Sequence, residues 1–337
     1  MGIVQATASV SSAITPGMLA EHPYLVADVG GTKIELGRAA RDGSSILAVR
    51  QLAVADFPTI EAAVETYLSG QTGAWPEAIA LAIAGPVLGD EVALTNGPWR
   101  FSIRGTQRAL RLDRLLVLND FTALALGLPT LLAEHRMKLG GGGGDAEAPI
   151  GLIGPGTGLG VSGLVRIGAR WVPLAGEGGH ASLAPEDEQE AMVLEQLRRK
   201  FGHVSAERVL SGPGLVNLFQ ALCAIEGVPE PSCTPESIAE WALADSRPLA
   251  RSALAMFCSL LGSAAGNLAL MLGARGGVFI GGGVCPRFPD FLAASACRAR
   301  FEAKGRMRAY LEPVPLWLIR APHPALHGAA AALCAPQ

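Results

Sequence analysis

Two glycine-threonine turns, each interrupting an apolar run, carry the residue types that bind phosphate. The first reads Ala27-Asp28-Val29-Gly30-Gly31-Thr32, and the second reads Gly154-Pro-Gly156-Thr157-Gly158-Leu-Gly160. Glycine permits positive φ and brings backbone N–H groups close to an anion, while the threonine adds a hydroxyl donor at the tip. A lone Gly-x-Gly between strands is ordinarily a tight hairpin and nothing more. Its recurrence far along the same chain suits a polyphosphate gripped from two sides. Asn119-Asp120 follows the apolar run Leu115-Leu-Val-Leu118. The end of a buried strand is where open α/β sheets place ligand groups, which makes Asp120 a candidate base. The same pair is also good N-cap composition, with the acid favoured by the helix dipole, and both roles can hold at once. Glu177 and His180 flank two glycines. Such a turn can offer a carboxylate and an imidazole to vicinal hydroxyls, or be a plain surface loop. Glu207 beside Arg208 reads as a solvated ion pair on a short helix.

Other chemistries are excluded. Gly158-Leu-Gly160-Val-Ser-Gly163 has dinucleotide-fingerprint spacing, but that motif must open a helix and residues 161–167 do not read as one. No Gly-x-x-x-x-Gly-Lys-Ser/Thr run exists, so the chain is not a P-loop nucleotidase. A net charge of −3 without a basic stripe argues against a nucleic-acid surface and for a small neutral or anionic ligand. The six cysteines lack Cys-x-x-Cys spacing and read as buried hydrophobes of a reducing cytoplasm, with no disulfide framework or zinc site. The first 20 residues have no basic n-region, which argues against a signal peptide. The apolar stretch 253–273 is interrupted by Ser259, Gly262, Gly266 and Asn267, so it is expected as a buried core helix, with no membrane span.

The elements that must position these residues follow from periodicity. Each turn is flanked by short, β-branched or alternating segments, giving strand, turn, strand. Further strands are predicted at 78–83, 115–118, 277–280 and 314–319, and helices at 60–68, 187–200, 215–225, 235–243, 252–272 and 325–333. This alternation is an α/β architecture, and the repeated hairpin makes it a duplicated one. Residues 1–22 are expected as a loosely held leader. The segment 140–145, which contains five consecutive glycines, is expected as a flexible surface loop inserted near the domain border.

The ordered set of motifs resembles the bacterial glucokinases. It comprises Asp28-Val-Gly-Gly-Thr32, Ala82-Ile-Ala-Gly-Pro86, Leu94-Thr-Asn96 with Trp99, and Leu118-Asn-Asp-Phe-Thr-Ala123. These are followed by Gly156-Thr-Gly-Leu-Gly160, Gly176-Glu-Gly-Gly-His180, His203-Val-Ser-Ala-Glu-Arg-Val-Leu-Ser-Gly212 and Gly276-Gly-Val-Phe-Ile-Gly-Gly-Gly283. The resemblance implies a two-lobed, actin-like (ribonuclease H-like) fold with the active site in the cleft between lobes. The small domain would comprise 23–130 plus 318–337, and the large domain 131–317. It implies ATP-dependent phosphorylation of glucose at the 6-hydroxyl, the first step of glycolysis, in a cytoplasmic homodimer. By the same resemblance Asp120 is the general base, and Asn96, Asn119, Asp120, Glu177, His180 and Glu207 bind the sugar. Ala27 to Thr32 and Gly156, Thr157 and Gly158 hold phosphates. Asp28 faces Mg²⁺ through water, and Gly281 and Gly282 let adenosine approach the backbone, although a plain turn would look the same. Ala27 and Lys33 depart from residues frequent in the family. No cysteine follows His180 until Cys223, which sets the chain apart from the zinc-containing repressor and kinase superfamily. A transcription regulator would need a helix-turn-helix ahead of the first strand, and a motor-type ATPase would turn over without sugar.

Overall fold

The computed structural model describes residues 15–71 and 74–334. The chain forms two compact units, Met1–Gly127 with Ala325–Gln337, and Leu128–Pro324.

In the first unit, helix α1 (Pro16–Glu21) precedes β1 (Tyr24–Val29), β2 (Lys33–Ala39), β3 (Ile46–Ala53), α2 (Ile60–Ser69) and β4 (Ala78–Ile83). The ribbon β5 (Glu91–Ala93) and β6 (Arg100–Ser102), helix α3 (Ile103–Ala109), β7 (Arg114–Asn119) and α4 (Asp120–Gly127) follow. The sheet order is β3-β2-β1-β4-β7. β2 is antiparallel to β1, whereas β4 and β7 continue the sheet in parallel. Parallel strands are buried on both faces, and every residue of Ala-Ile-Ala-Leu-Ala-Ile in β4 is buried accordingly. Leu25, Ala27 and Val29 pack with Val64 and Tyr67 of α2 on one face. On the other, Val26, Ala80 and Ala82 pack with Ala123 of α4 and with Leu326 and Ala329 of the C-terminal helix, Pro324–Cys334. The alternation along β1 places Asp28 on the α4 face.

The second unit contains β8 (Arg136–Gly140), β9 (Ile150–Pro155), β10 (Leu159–Ile167), β11 (Arg170–Gly176), α5 (Glu188–Phe201), α6 (Gly212–Glu226), α7 (Pro235–Leu243), α8 (Pro248–Leu272), β12 (Gly277–Ile280) and β13 (Leu316–Ile319). Its sheet order is β11-β10-β9-β12-β13-β8. Apart from β8, this repeats the first sheet strand for strand: two successive antiparallel pairings on one side of the central strand and two successive parallel pairings on the other. The duplication expected from two hairpins is thus a duplication of whole sheets. α8 is long and apolar enough to cross a membrane by length and composition, but it packs in the core with α6, α7 and the helix Cys297–Glu302. Gly262 and Gly266 serve that packing, since a Cβ on Gly262 would collide with the Cys297 carbonyl and one on Gly266 would stand 2.5 Å from the Phe301 carbonyl oxygen.

Three expectations need correction. Residues 1–14 of the leader lie outside the described residues, but Pro16–Glu21 is a helix capped by Thr15, with Leu19 buried. The fully buried Arg38 guanidinium fixes the end of this helix by donating to the His22 carbonyl at 2.9 Å. The glycine run is no loose loop: Gly140 ends β8, Gly142 donates to the Pro313 carbonyl at 3.1 Å, and Asp145 donates to the Arg275 carbonyl at 3.0 Å. Gly141 has φ 89° and lies so close to the Val314 carbonyl that any Cβ would collide with it. The glycines permit close backbone packing. Finally, Leu318 and Ile319, expected in the small domain, lie in β13 between β12 and β8, so the chain returns to the first unit only at Ala325.

Candidate active site

The first unit gathers its polar residues at the carboxyl ends of β1, β4 and β7. Val29 pairs in register with Ile83, and Ile83 with Asn119, so Gly30, Ala84 and Asp120 leave the sheet at one edge. The Gly30 N–H donates to the Lys33 carbonyl at 2.9 Å and closes the first turn. Gly31 lies against the peptide of Asn96, where any side chain would collide with the Asn96 carbonyl. Glycine is required there because the strand-end loop carrying Asn96 rests on the hairpin. Gly85 has φ 157° and a Cβ there would sit 3.0 Å from Thr95 Oγ1, so it brings the loop after β4 to the same place.

Asn119 takes the capping role, and Asp120 stands at the strand end with one oxygen held by its neighbours. Asn119 Oδ1 accepts from the Thr122 N–H at 3.1 Å and caps α4, while its Nδ2 donates to Asp120 Oδ1 at 2.9 Å and to the Gly85 carbonyl at 3.3 Å. Asp120 Oδ1 also accepts from the Phe121 N–H at 2.9 Å. Two donors on one oxygen hold the half-buried carboxyl group in a fixed orientation at the strand end. Asp28 stands across from Glu35 in the β1–β2 register. Burial, reinforced by the negative charges of Asp120 and Glu35, pushes its carboxyl group up to about 7. Among the described residues no group of three or more His, Cys, Asp or Glu side chains could hold a metal ion, so a cation at Asp28 would rest on one or two carboxylates and keep its waters, as Mg²⁺ does.

The second unit builds its site around the β9–β10 turn. The Gly156 N–H donates to the Gly158 carbonyl at 2.8 Å, and the Gly156 carbonyl accepts from the Gly212 N–H at 2.8 Å, tying the turn to the start of α6. Glu207 does not pair with Arg208. Its Oε2 accepts from the Leu159 N–H at 2.9 Å, and the Arg208 guanidinium lies over the Phe201 ring at 4.2 Å. Gly178 and Gly179 let the turn from Glu177 to His180 lie on β10, since a Cβ on Gly179 would collide with the Leu159 carbonyl. The exposed Glu177 and His180 side chains approach to 4.0 Å. The Ala206 N–H donates to the Ala181 carbonyl at 2.9 Å, which sets the segment carrying Glu207 beside the one carrying His180. The segments carrying Glu177, His180 and Glu207 therefore lie side by side against the hairpin.

Gly281 donates to the Ile153 carbonyl at 2.9 Å, and Gly282, at φ 76°, packs on the Pro155 carbonyl. Beside the second hairpin lies a cavity of about 370 Å³ lined by Thr157, Pro213, Leu215, Ala239, Gly283 and Phe288; of the three glycines, Gly283 and neither Gly281 nor Gly282 belongs to its lining. The ion pair Arg287–Glu236 joins two residues of its lining. Sequence reasoning missed the walls contributed by α6 and α7, and it missed the Leu159 N–H. Both helix starts carry visible signals, Ser211 before Gly212-Pro213 and Thr234 before Pro235, which are N-cap and first-turn residues.

The duplicated sheets, with a glycine-threonine hairpin at the head of each, define the actin-like α/β class of sugar kinases. Residues 25–335 match the family model described as Glucokinase. The chain is 49% identical over 321 residues to a glucokinase of Chromobacterium violaceum (95% of this chain, 92% of the relative). It is 46% identical over 309 residues to a glucokinase of Cronobacter sakazakii (92% and 96%). Among solved structures, a glucokinase from an Antarctic psychrotroph superposes with a TM-score of 0.82 at 36% identity, covering 93% of this chain and 98% of that one. The chain belongs to the glucokinase family.

Proposed function

We propose that this protein is a cytoplasmic glucokinase that transfers the γ-phosphoryl group of ATP to the 6-hydroxyl of D-glucose, yielding glucose 6-phosphate and ADP at the entry to glycolysis. The observation that carries the reading is the family match over residues 25–335, which takes in both hairpins, Asp120, Glu177, His180 and Glu207. Phosphoryl transfer asks the protein chiefly for positioning and charge neutralisation. Asp120 is assigned as the base that accepts the 6-hydroxyl proton as the oxygen bonds to phosphorus, and the donors on its Oδ1 support that role by orienting it. Asn96, Asn119, Glu177, His180 and Glu207 are assigned to the sugar hydroxyls as paired donors and acceptors.

The backbone N–H groups of Ala27 to Thr32 and of Gly156 to Gly158 are assigned to the phosphates. The adenosine is assigned to the cavity beside Gly281 and Gly282, which has the volume of a small-ligand pocket. Asp28 would hold Mg²⁺ through water, and the ion would supply positive charge to the β- and γ-phosphates. A homodimer is the proposed assembly, which sedimentation velocity measures.

The test is a coupled assay with ATP-Mg and a panel of glucose, mannose, glucosamine and 2-deoxyglucose. Phosphorylation led by glucose is expected. ATP consumption that proceeds equally well without any sugar would refute the assignment.

A further inference from the structure

Three segments of the second unit meet at one residue, Leu159. Its N–H donates to Glu207 Oε2 at 2.9 Å, and its carbonyl lies against Gly179 of the Glu177–His180 turn. The residue itself closes the phosphate hairpin, next to Gly158. Gly158 leaves room for the Glu207 carboxylate, because a Cβ there would stand 2.5 Å from the same Oε2. On the opposite side the hairpin is held by the Gly212 N–H on the Gly156 carbonyl. Among these contacts, the Glu207 bond is the one made by an ionisable side chain.

We propose that Glu207 is a positioning residue for the nucleotide as well as a ligand of the sugar. Its carboxylate holds the turn Gly156–Leu159 in the shape that presents N–H groups to phosphate. A sugar that engages Glu207 therefore also stiffens the phosphate hairpin, and nucleotide and sugar favour each other's binding through the Leu159 peptide. The sugar half of this statement rests on the glucokinase reading, whereas the bracing of the hairpin rests on the geometry alone.

The probe is AMPPNP with Mg²⁺, titrated calorimetrically with and without glucose. Without glucose, Glu207→Ala is expected to weaken AMPPNP binding about tenfold, as loss of a hydrogen bond to a charged acceptor implies. Glu207→Gln keeps an oxygen able to accept from the Leu159 N–H and is expected to lose much less. Glu226→Gln, exposed at the far end of α6 from the hairpin, should leave the sugar-free affinity at the wild-type value. Gly158→Ala displaces the carboxylate without removing it, so its penalty on AMPPNP binding should vanish in the Glu207→Ala background. Wild-type affinity in Glu207→Ala without glucose, or additive effects of the Gly158 and Glu207 changes, would overturn the proposal. If Glu207→Ala folds poorly, Gly158→Ala alone decides: it should weaken sugar-free AMPPNP binding by displacing the carboxylate, and wild-type affinity in that variant would overturn the proposal. Failure of the glucokinase reading would show separately, as a wild-type protein that does not phosphorylate glucose while the sugar-free arms still report on the brace.

Discussion

Asp28→Asn should stabilise the ligand-free protein and cripple its activity. The Asp28 carboxyl group rises from 3.8 to about 7 through burial and the charges of Asp120 and Glu35. At about 1.4 kcal/mol per tenfold change in proton affinity, its ionisation in the folded state costs at most roughly 4 kcal/mol. Between about pH 4 and pH 7 the folded state retains a proton that the unfolded state has released, so stability falls as pH rises through this window. The penalty is complete above about pH 7, and about a third of it is present at pH 5. Asparagine keeps the shape and removes the charge, at the cost of burying an amide, which reduces the net gain at pH 8 to roughly 2 kcal/mol. Denaturant unfolding of both proteins in EDTA, at pH 5 and pH 8, measures it. The variant should gain on wild type as pH rises, while its kcat with ATP-Mg falls. A stability difference that is the same at both pH values would show that Asp28 is not held in a charge-hostile setting, and the argument for a cation beside it would fail with it.

Asp120→Asn should lower kcat by roughly 10²- to 10⁴-fold with glucose affinity held within about tenfold; wild-type turnover would reduce Asp120 to a helix-start residue. Glu177→Gln and His180→Ala should raise KM for glucose far more than KM for ATP, and a selective loss of ATP affinity would reverse the assignment of that turn. Gly31→Ala forces a methyl group into the Asn96 carbonyl, which should cost about 1–3 kcal/mol and raise KM for glucose. Gly89→Ala, at a glycine with open space around it, is the matched control, and equal unfolding midpoints for the two variants would contradict the close packing of hairpin and loop.

Much of this protein is written locally in its sequence. The two hairpins, the 3.6-residue periodicity of α5 to α8, the unbroken apolar β4 and the strand-to-helix junction at Asn119-Asp120 all follow from backbone preferences and side-chain spacing over a few residues. The N-cap reading of that junction holds for Asn119, whose amide also donates to the acid beside it. Tertiary structure decided what depends on residues distant in the chain. Glu207 has Arg208 beside it in sequence, but its carboxylate is placed on a peptide N–H 48 residues away. The glycines from 140 to 144 carry the composition of a flexible loop, and the carbonyls of Pro313 and Val314, which no local pattern reveals, make them a packed segment. The acid at Asp28 is visible in the first motif, but its raised proton affinity is not. Desolvation and the fields of Asp120 and Glu35 exist only once β1, β2 and α4 have assembled, since burial and Coulomb energy are set by distances in space, whereas the sequence fixes only distances along the chain.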